Sequence, residues 1–199
     1  MQTTRQKEIL EAALNLISDK GIQGLTIKNI SREIGISEPA IYRHYDSKMD
    51  IMVAILEVFR QNTEALFTAI AEEDMPAVNK IHTLFTRHFE SFAQTPSLVT
   101  VIFSEELFRA DSNLSHKVSE IISANFKILI GIIKEGQKNN EIRNDVPADH
   151  IAIIIMGSLR LFIKKWQFAG YAYDIRKEGI KLIKSIHRLI YKGVYNENH

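Results

Sequence analysis

Apolar residues recur at three- and four-residue intervals from Ile9 to Ile190, and no stretch alternates apolar and polar residues for long enough to specify a strand. The first predicted helix opens at Thr3, where Thr3 and Gln6 have the spacing of a capping box. Its apolar stripe is Ile9, Leu10, Ala13, Leu14, Leu16 and Ile17, and Gly21 and Gly24 end it. Thr26 then precedes a helix of about two turns that stops at Ile34-Gly35. Ser37 starts another short helix, with Glu38 and Pro39 in its first turn and its end near Tyr45. Ser47, with Asp50 three residues on, caps a third. Two short helices joined by a tight glycine-containing turn form the helix-turn-helix pattern.

Beyond Ser47 the predicted helices lengthen. One covers 48–72 and is broken at Met75-Pro76; the next two cover 77–94 and 97–109, separated by Thr95-Pro96. Another covers 113–139 and stops at Lys138-Asn139-Asn140. An eighth begins at Pro147, with Asp145 as its expected cap, and reaches 168; a ninth covers 173–192. The expectation is an all-α chain of about nine helices. It divides into a helix-turn-helix domain at 1–47 and a second, helical domain at 48–199, whose effector-binding and dimerisation roles rest on the family resemblance given below.

Composition narrows the function classes. With no Cys among 199 residues there is no disulfide framework, thiolate metal site or cysteine nucleophile. The apolar run from Ile151 to Ile163 is too short for a membrane span and contains Arg160, so no membrane partner is expected and a cytoplasmic location is. No HExxH, Walker-type glycine loop or GxSxG motif occurs, and the seven His are scattered. Neither enzymatic activity nor a metal or other cofactor is expected. Net charge is +1, so bulk charge does not announce a nucleic-acid partner; the basic excess is local, with six basic groups against one acid in 176–192.

The case for double-stranded DNA therefore rests on geometry. In a helix-turn-helix the second helix enters the major groove and its first residues reach base edges. Here Ser37, Glu38, Pro39 and Ala40 are compact residues that let the backbone approach closely. Ala40 suits a thymine methyl, Arg43 a guanine or a phosphate, and Glu38 either a cytosine amine or the rejection of wrong sequences. Tyr42, His44 and Lys48 suit phosphates, as do Thr26 and Lys28 at the start of the preceding helix. Ile27, Ile30, Ile34, Ile36 and Ile41 are expected to form the small domain's core.

The stretch Gly21-Ile22…Thr26-Ile27…Ile30…Gly35-Ile36-Ser37…Ala40-Ile41-Tyr42-Arg43-His44-Tyr45…Ser47-Lys48 resembles the N-terminal signature of the tetracycline-repressor (TetR) family in order and spacing. It departs at Tyr45, where the family more often has phenylalanine. By that resemblance Thr26, Ser37, Tyr42, His44 and Lys48 match positions that touch phosphate or bases. The resemblance also implies that the last two helices form a homodimer as a four-helix bundle and that the middle helices enclose a small-molecule effector.

Residue patterns suggest where these features lie. The apolar excess of 151–163 suits a partner helix, and Ile151, Ile155, Leu159, Phe162, Trp166, Ile183, Ile186 and Ile190 are the expected dimer interface. Phe85, Phe89, Phe103, Phe108, Phe126 and Met156 are candidate lining for the effector. Arg160 is either an ion-pair partner of Glu105 or Glu106, or an anchor for the head group of a fatty acid or its thioester. The expected function is a ligand-responsive repressor released from a palindromic operator by a small apolar or amphipathic effector. The alternative is a ligand-independent DNA-binding or adaptor protein of the same fold.

Overall fold

A computed structural model describes residues 2–104 and 111–192. Among them are nine α-helices: α1 (Thr4–Lys20), α2 (Ile27–Ile34), α3 (Glu38–Tyr42), α4 (Lys48–Glu72), α5 (Ala77–Gln94), α6 (Pro96–Ile102), α7 (Ser112–Lys138), α8 (Ala148–Phe168) and α9 (Ile175–Ile190). The all-α expectation is met. Two compact units emerge, Met1–Gln61 with Thr95–Glu120 and Asn62–Gln94 with Ile121–His199. This division differs from one at residue 47/48, because α1 packs on α6 as well as on α2. The helix α4 belongs to both units.

In the first unit, local chemistry marks the helix boundaries. Thr3 and Gln6 form both bonds of a capping box. Gly21 closes α1 at φ +66°, a backbone setting that an L side chain resists. The Ser47 hydroxyl accepts from the Asp50 N–H at 3.2 Å and donates to its carboxylate at 2.9 Å. The core comprises Ile9, Leu10, Ala13, Leu16 and Ile17 of α1 with Leu25, Ile30, Ile41 and Tyr45. Ile27, Ile34 and Ile36 are only half-buried, so the expected isoleucine core is narrower, centred on Ile30 and Ile41. Glu57 of α4 ties to α7 through Lys117 at 3.1 Å, and Lys117 also holds Glu120 at 2.8 Å. The Arg60 guanidinium, with help from Gln61 and Lys117, holds the Glu57 carboxyl down at about 2.

The second unit packs α5 against α9 and α9 against α8. Phe89 meets Phe162 edge-on, with ring centroids 5.6 Å apart, and a methyl at Gly179 would overlap the Phe89 ring. Lys80 is buried, yet its ammonium donates to the Ala71 carbonyl at 2.9 Å and to both Glu135 oxygens at 3.1 Å, which satisfies the charge. His88 stands edge-on to both Phe67 and Phe92. Burial pushes its pKa down to about 4.

Three boundaries differ from expectation. The helix α3 spans Glu38–Tyr42 instead of reaching Tyr45, which is buried while Arg43 and His44 form a turn. The helix α6 ends at Ile102 instead of 109, and residues 105–110 lie outside the described residues. Asp145 does not cap α8, because Arg143 takes both of its carboxylate oxygens at 2.8 and 2.6 Å.

Two predictions follow from this packing. Replacing Gly179 with Ala forces a methyl into the Phe89 ring and should cost about 1–3 kcal/mol, read as a lower midpoint in urea unfolding with an unchanged slope. For His88 the folded state favours the neutral ring, whereas the unfolded chain takes the proton near 6.5. Stability is therefore intact above that pH and drains as pH falls from 6.5 toward 4. A His88→Phe variant should lose less of its thermal midpoint over that interval than the wild type.

Candidate nucleic-acid interface

The surface built by α2, α3 and the start of α4 is set by its caps. The Thr26 hydroxyl accepts from the Asn29 N–H at 3.1 Å, which leaves its own hydrogen to donate outward. Asn29 in turn donates to the Gly24 carbonyl at 2.8 Å and fixes the entry to α2. At the other end Gly35 takes the left-handed conformation, φ +69°, and the Gly35 and Ile36 amides both bond the Ser31 carbonyl. That turn closes α2 and leads into α3 after three residues. Ser37 begins α3 without a side-chain capping bond, so its hydroxyl is not spent on the helix.

Ile41 anchors α3 to the core, which leaves the opposite side of this short helix outward. Ser37, Glu38, Pro39 and Arg43 are exposed, Tyr42 is 49% exposed, and Ala40 and His44 are half-buried. Lys28 and Lys48 are exposed, and Thr26 is half-buried at the head of α2. All ten residues expected to face DNA thus belong to the first unit, and none is buried. Arg43 and His44 stand in the turn after α3 rather than on the helix, where they suit backbone contacts better than base edges.

The residues expected elsewhere fare differently. Ile151, Ile155, Leu159, Trp166, Ile183, Ile186 and Ile190 are buried within their own chain, and Phe162 is half-buried against Phe89. In the single chain they form an internal core stripe and are not on the exposed face of the helix pair. The apolar residues that α8 leaves exposed are Ile153, Ile154, Leu161 at 65% and Phe168 at 81%, with Leu189 on α9. A methyl at Gly157, on the same side of α8, would meet open space.

Phe85 and Phe89 are buried in the second unit, where Phe126 and Met156 are half-buried. Phe103 is buried in the first unit, and Phe108 lies outside the described residues, as do Glu105 and Glu106. Arg160 is exposed, on the α8 side that carries Ile153 and Leu161, rather than enclosed by the helix's apolar run. Sequence reasoning passed over Lys80 as a buried residue; it lies one turn after Ala77 and one turn before Leu84 on α5. Among the described residues no group of three or more His, Asp or Glu could hold a metal ion, and no helix is long and apolar enough to cross a membrane.

Comparison with known proteins follows the same outline. Residues 9–55 match the family model described as bacterial regulatory proteins, tetR family, and residues 55–193 match that of the YsiA-like protein, C-terminal region. The chain is 25% identical to the fatty acid metabolism regulator protein of Bacillus subtilis over 96% of its own length and 95% of that protein. Its fold is similar to that of the fatty acid degradation regulator FadR from Bacillus halodurans, with a TM-score of 0.81 at 19% identity over 95% of each chain. The crystal structure of FadR from Bacillus subtilis in complex with stearoyl-CoA gives a TM-score of 0.76 at 23% identity, over 95% of this chain and 99% of that one.

The exposed cations at this surface make a prediction. If Lys48 neutralises a phosphate, Lys48→Ala should weaken binding to duplex DNA and lower the slope of log K against log salt by about one unit. Tyr42→Ala should weaken binding and leave that slope almost unchanged. Fluorescence anisotropy over a salt series reads both.

Proposed function

The chain belongs to the TetR family of bacterial transcriptional regulators, and from that premise we propose that it is a homodimeric repressor, released from a palindromic operator by a long-chain acyl thioester. The observation that carries the proposal is α3: a five-residue helix held by Ile41, with its hydroxyl-bearing start and Tyr42 turned outward. Ser37, Glu38, Pro39 and Ala40 read base edges, while Thr26, Lys28, Tyr42, Arg43, His44 and Lys48 hold phosphates.

One such surface reads a half-site; a palindrome needs two, related by a two-fold axis. The exposed stripe Ile153, Ile154, Gly157, Leu161 and Phe168 supports α8 as that axis. These residues recur along one side of the helix, and water is a poor neighbour for so many large apolar groups together. Gly157 lets two α8 helices approach closely. Leu189 extends the face onto α9, and Arg160 flanks it.

The effector class is supported by the interior and by likeness. Phe85, Phe89, Phe126 and Met156 give the second unit apolar side chains suited to an alkyl chain. Full-length similarity to a fatty acid metabolism regulator points the same way. Release requires the effector to bind one arrangement of the reading heads better than the other. The helix α4, shared by both units, is the covalent route for that bias.

Leu161→Lys should convert the dimer to a monomer in light scattering and reduce affinity for operator DNA by roughly a hundredfold, as the second half-site contact is lost. Footprinting of the DNA upstream of its own gene should show one two-fold symmetric protected site, and adding stearoyl-CoA should remove the protection. A dimer that survives Leu161→Lys, or a footprint indifferent to acyl-CoA, would remove the corresponding part of the proposal.

A further inference from the structure

A cavity of about 390 Å³ opens where the connection between α7 and α8 meets the end of α9, lined by Arg143, Asn144, Asp145, Tyr191 and Lys192. Its volume is that of a small-molecule site, but its lining is polar and charged instead of apolar. Its walls are held by hydrogen bonds. The Arg143 N–H donates to the Ile190 carbonyl at 2.8 Å, and Ile142 and Tyr191 form an antiparallel bridge. The Gln137 side-chain amide donates to the Arg143 and Val146 carbonyls, each at 2.9 Å.

These bonds leave the cavity electropositive. Asp145 is neutralised by Arg143, whose Nε and Nη2 hold its two oxygens at 2.8 and 2.6 Å. The last carbonyls of α9, which would repel an anion, are also taken. Arg143 donates to Leu189 from Nη1 at 3.3 Å and to Ile190 from its main chain. A guanidinium has five N–H groups, so the three side-chain contacts leave two of them unspent. The Lys192 ammonium donates to the neutral side-chain oxygen of Asn140, and among the described residues no carboxylate pairs with it. Exposed Lys177, Lys181, Lys184 and Arg188 recur at three- and four-residue intervals along α9, whose one acid, Glu178, is held by Lys181. Their field adds to that of the cavity.

What the cavity lacks is a negative charge with several acceptor oxygens, and a phosphate monoester supplies both. Phosphate alone fills a small part of the volume. The Tyr191 ring, 43% exposed, and the exposed Asn144 amide suit a planar polar body beside it. We propose that this cavity is a nucleotide site, holding the phosphate between Lys192 and the unspent N–H groups of Arg143 and laying the base against Tyr191. It is separate from the apolar interior that the repressor reading assigns to an acyl chain, and it stands whether or not that reading holds.

Calorimetry on the full-length protein tests it with AMP, inorganic phosphate and adenosine. Wild type should bind AMP more tightly than either fragment by roughly tenfold or more, because phosphate and base are held at once. Lys192→Gln should weaken AMP roughly tenfold, the share of one charge-assisted contact, and Lys192→Arg should restore it. The arginine variant separates lost charge from altered fold. Tyr191→Ala should weaken AMP and leave phosphate unmoved. AMP binding that persists when stearoyl-CoA is saturating supports a separate site. AMP binding abolished by stearoyl-CoA overturns that separateness and gives the cavity to the nucleotide end of the effector. Three outcomes overturn the nucleotide site itself: no binding of AMP, phosphate held as tightly as AMP, or AMP binding indifferent to Lys192→Gln. None of the three touches the acyl-thioester reading.

Discussion

A five-residue helix does not hold itself together: closing the first turn costs more than its few hydrogen bonds return, so α3 exists only because Ile41 is fully buried. Everything proposed for DNA depends on that single anchorage. Ile41 and Tyr45 draw one side of the segment inward, and the turn of three residues at 35–37 ties it to the end of α2. With so short a helix, fixing one side fixes the other. Ser37 through Ala40 face outward because the core takes the side opposite them. A polar residue at 41 would release the helix and its presentation together, even though position 41 touches no DNA.

Local chemistry was the most legible part of the chain. The caps at Thr3, Thr26 and Ser47 and the glycine stops at 21 and 35 act within three or four residues, so their spacing alone marked α1, α2 and the start of α4. Where a second partner competes, spacing misleads. Asp145 stands where a cap of α8 would, yet Arg143 claims both of its oxygens. Ser37 also stands at a cap position, and its hydroxyl is unused by the helix.

The dimer face shows a different limit. Residues 151–163 are apolar on nearly every side, so periodicity reports two stripes without saying which one the chain keeps for itself. Ile151, Ile155 and Leu159 go to the core because Phe89, Phe162 and the close approach at Gly179 bring α5 and α9 against that side. Ile153, Ile154 and Leu161 are what remains. Arg160 follows from the same error: it looked enclosed only while every side of the helix was taken as interior. The candidate effector residues were legible as aromatic and apolar; Phe103 belongs to one compact unit and Phe89 to the other.

The polar contacts also fall at the ends of the element that must carry a signal. The helix α4 is clamped in the first unit by Glu57 to Lys117, and at its far end in the second unit the Ala71 carbonyl accepts from buried Lys80. Between these points its inward side is apolar, with Ile55, Leu56, Phe59, Phe67 and Ile70. Apolar packing tolerates a small slide better than an ion pair does, because dispersion has no preferred direction and a charge-assisted bond does. A bias on α4 must therefore be taken up along its apolar middle or at the expense of one clamp. Glu57, held near 2 by its cationic neighbours, stays ionised across any growth pH, so its clamp does not loosen by protonation. The Lys80 ammonium spends its donors on the Ala71 carbonyl and both Glu135 oxygens. That leaves the apolar middle of α4 as the part with freedom to shift.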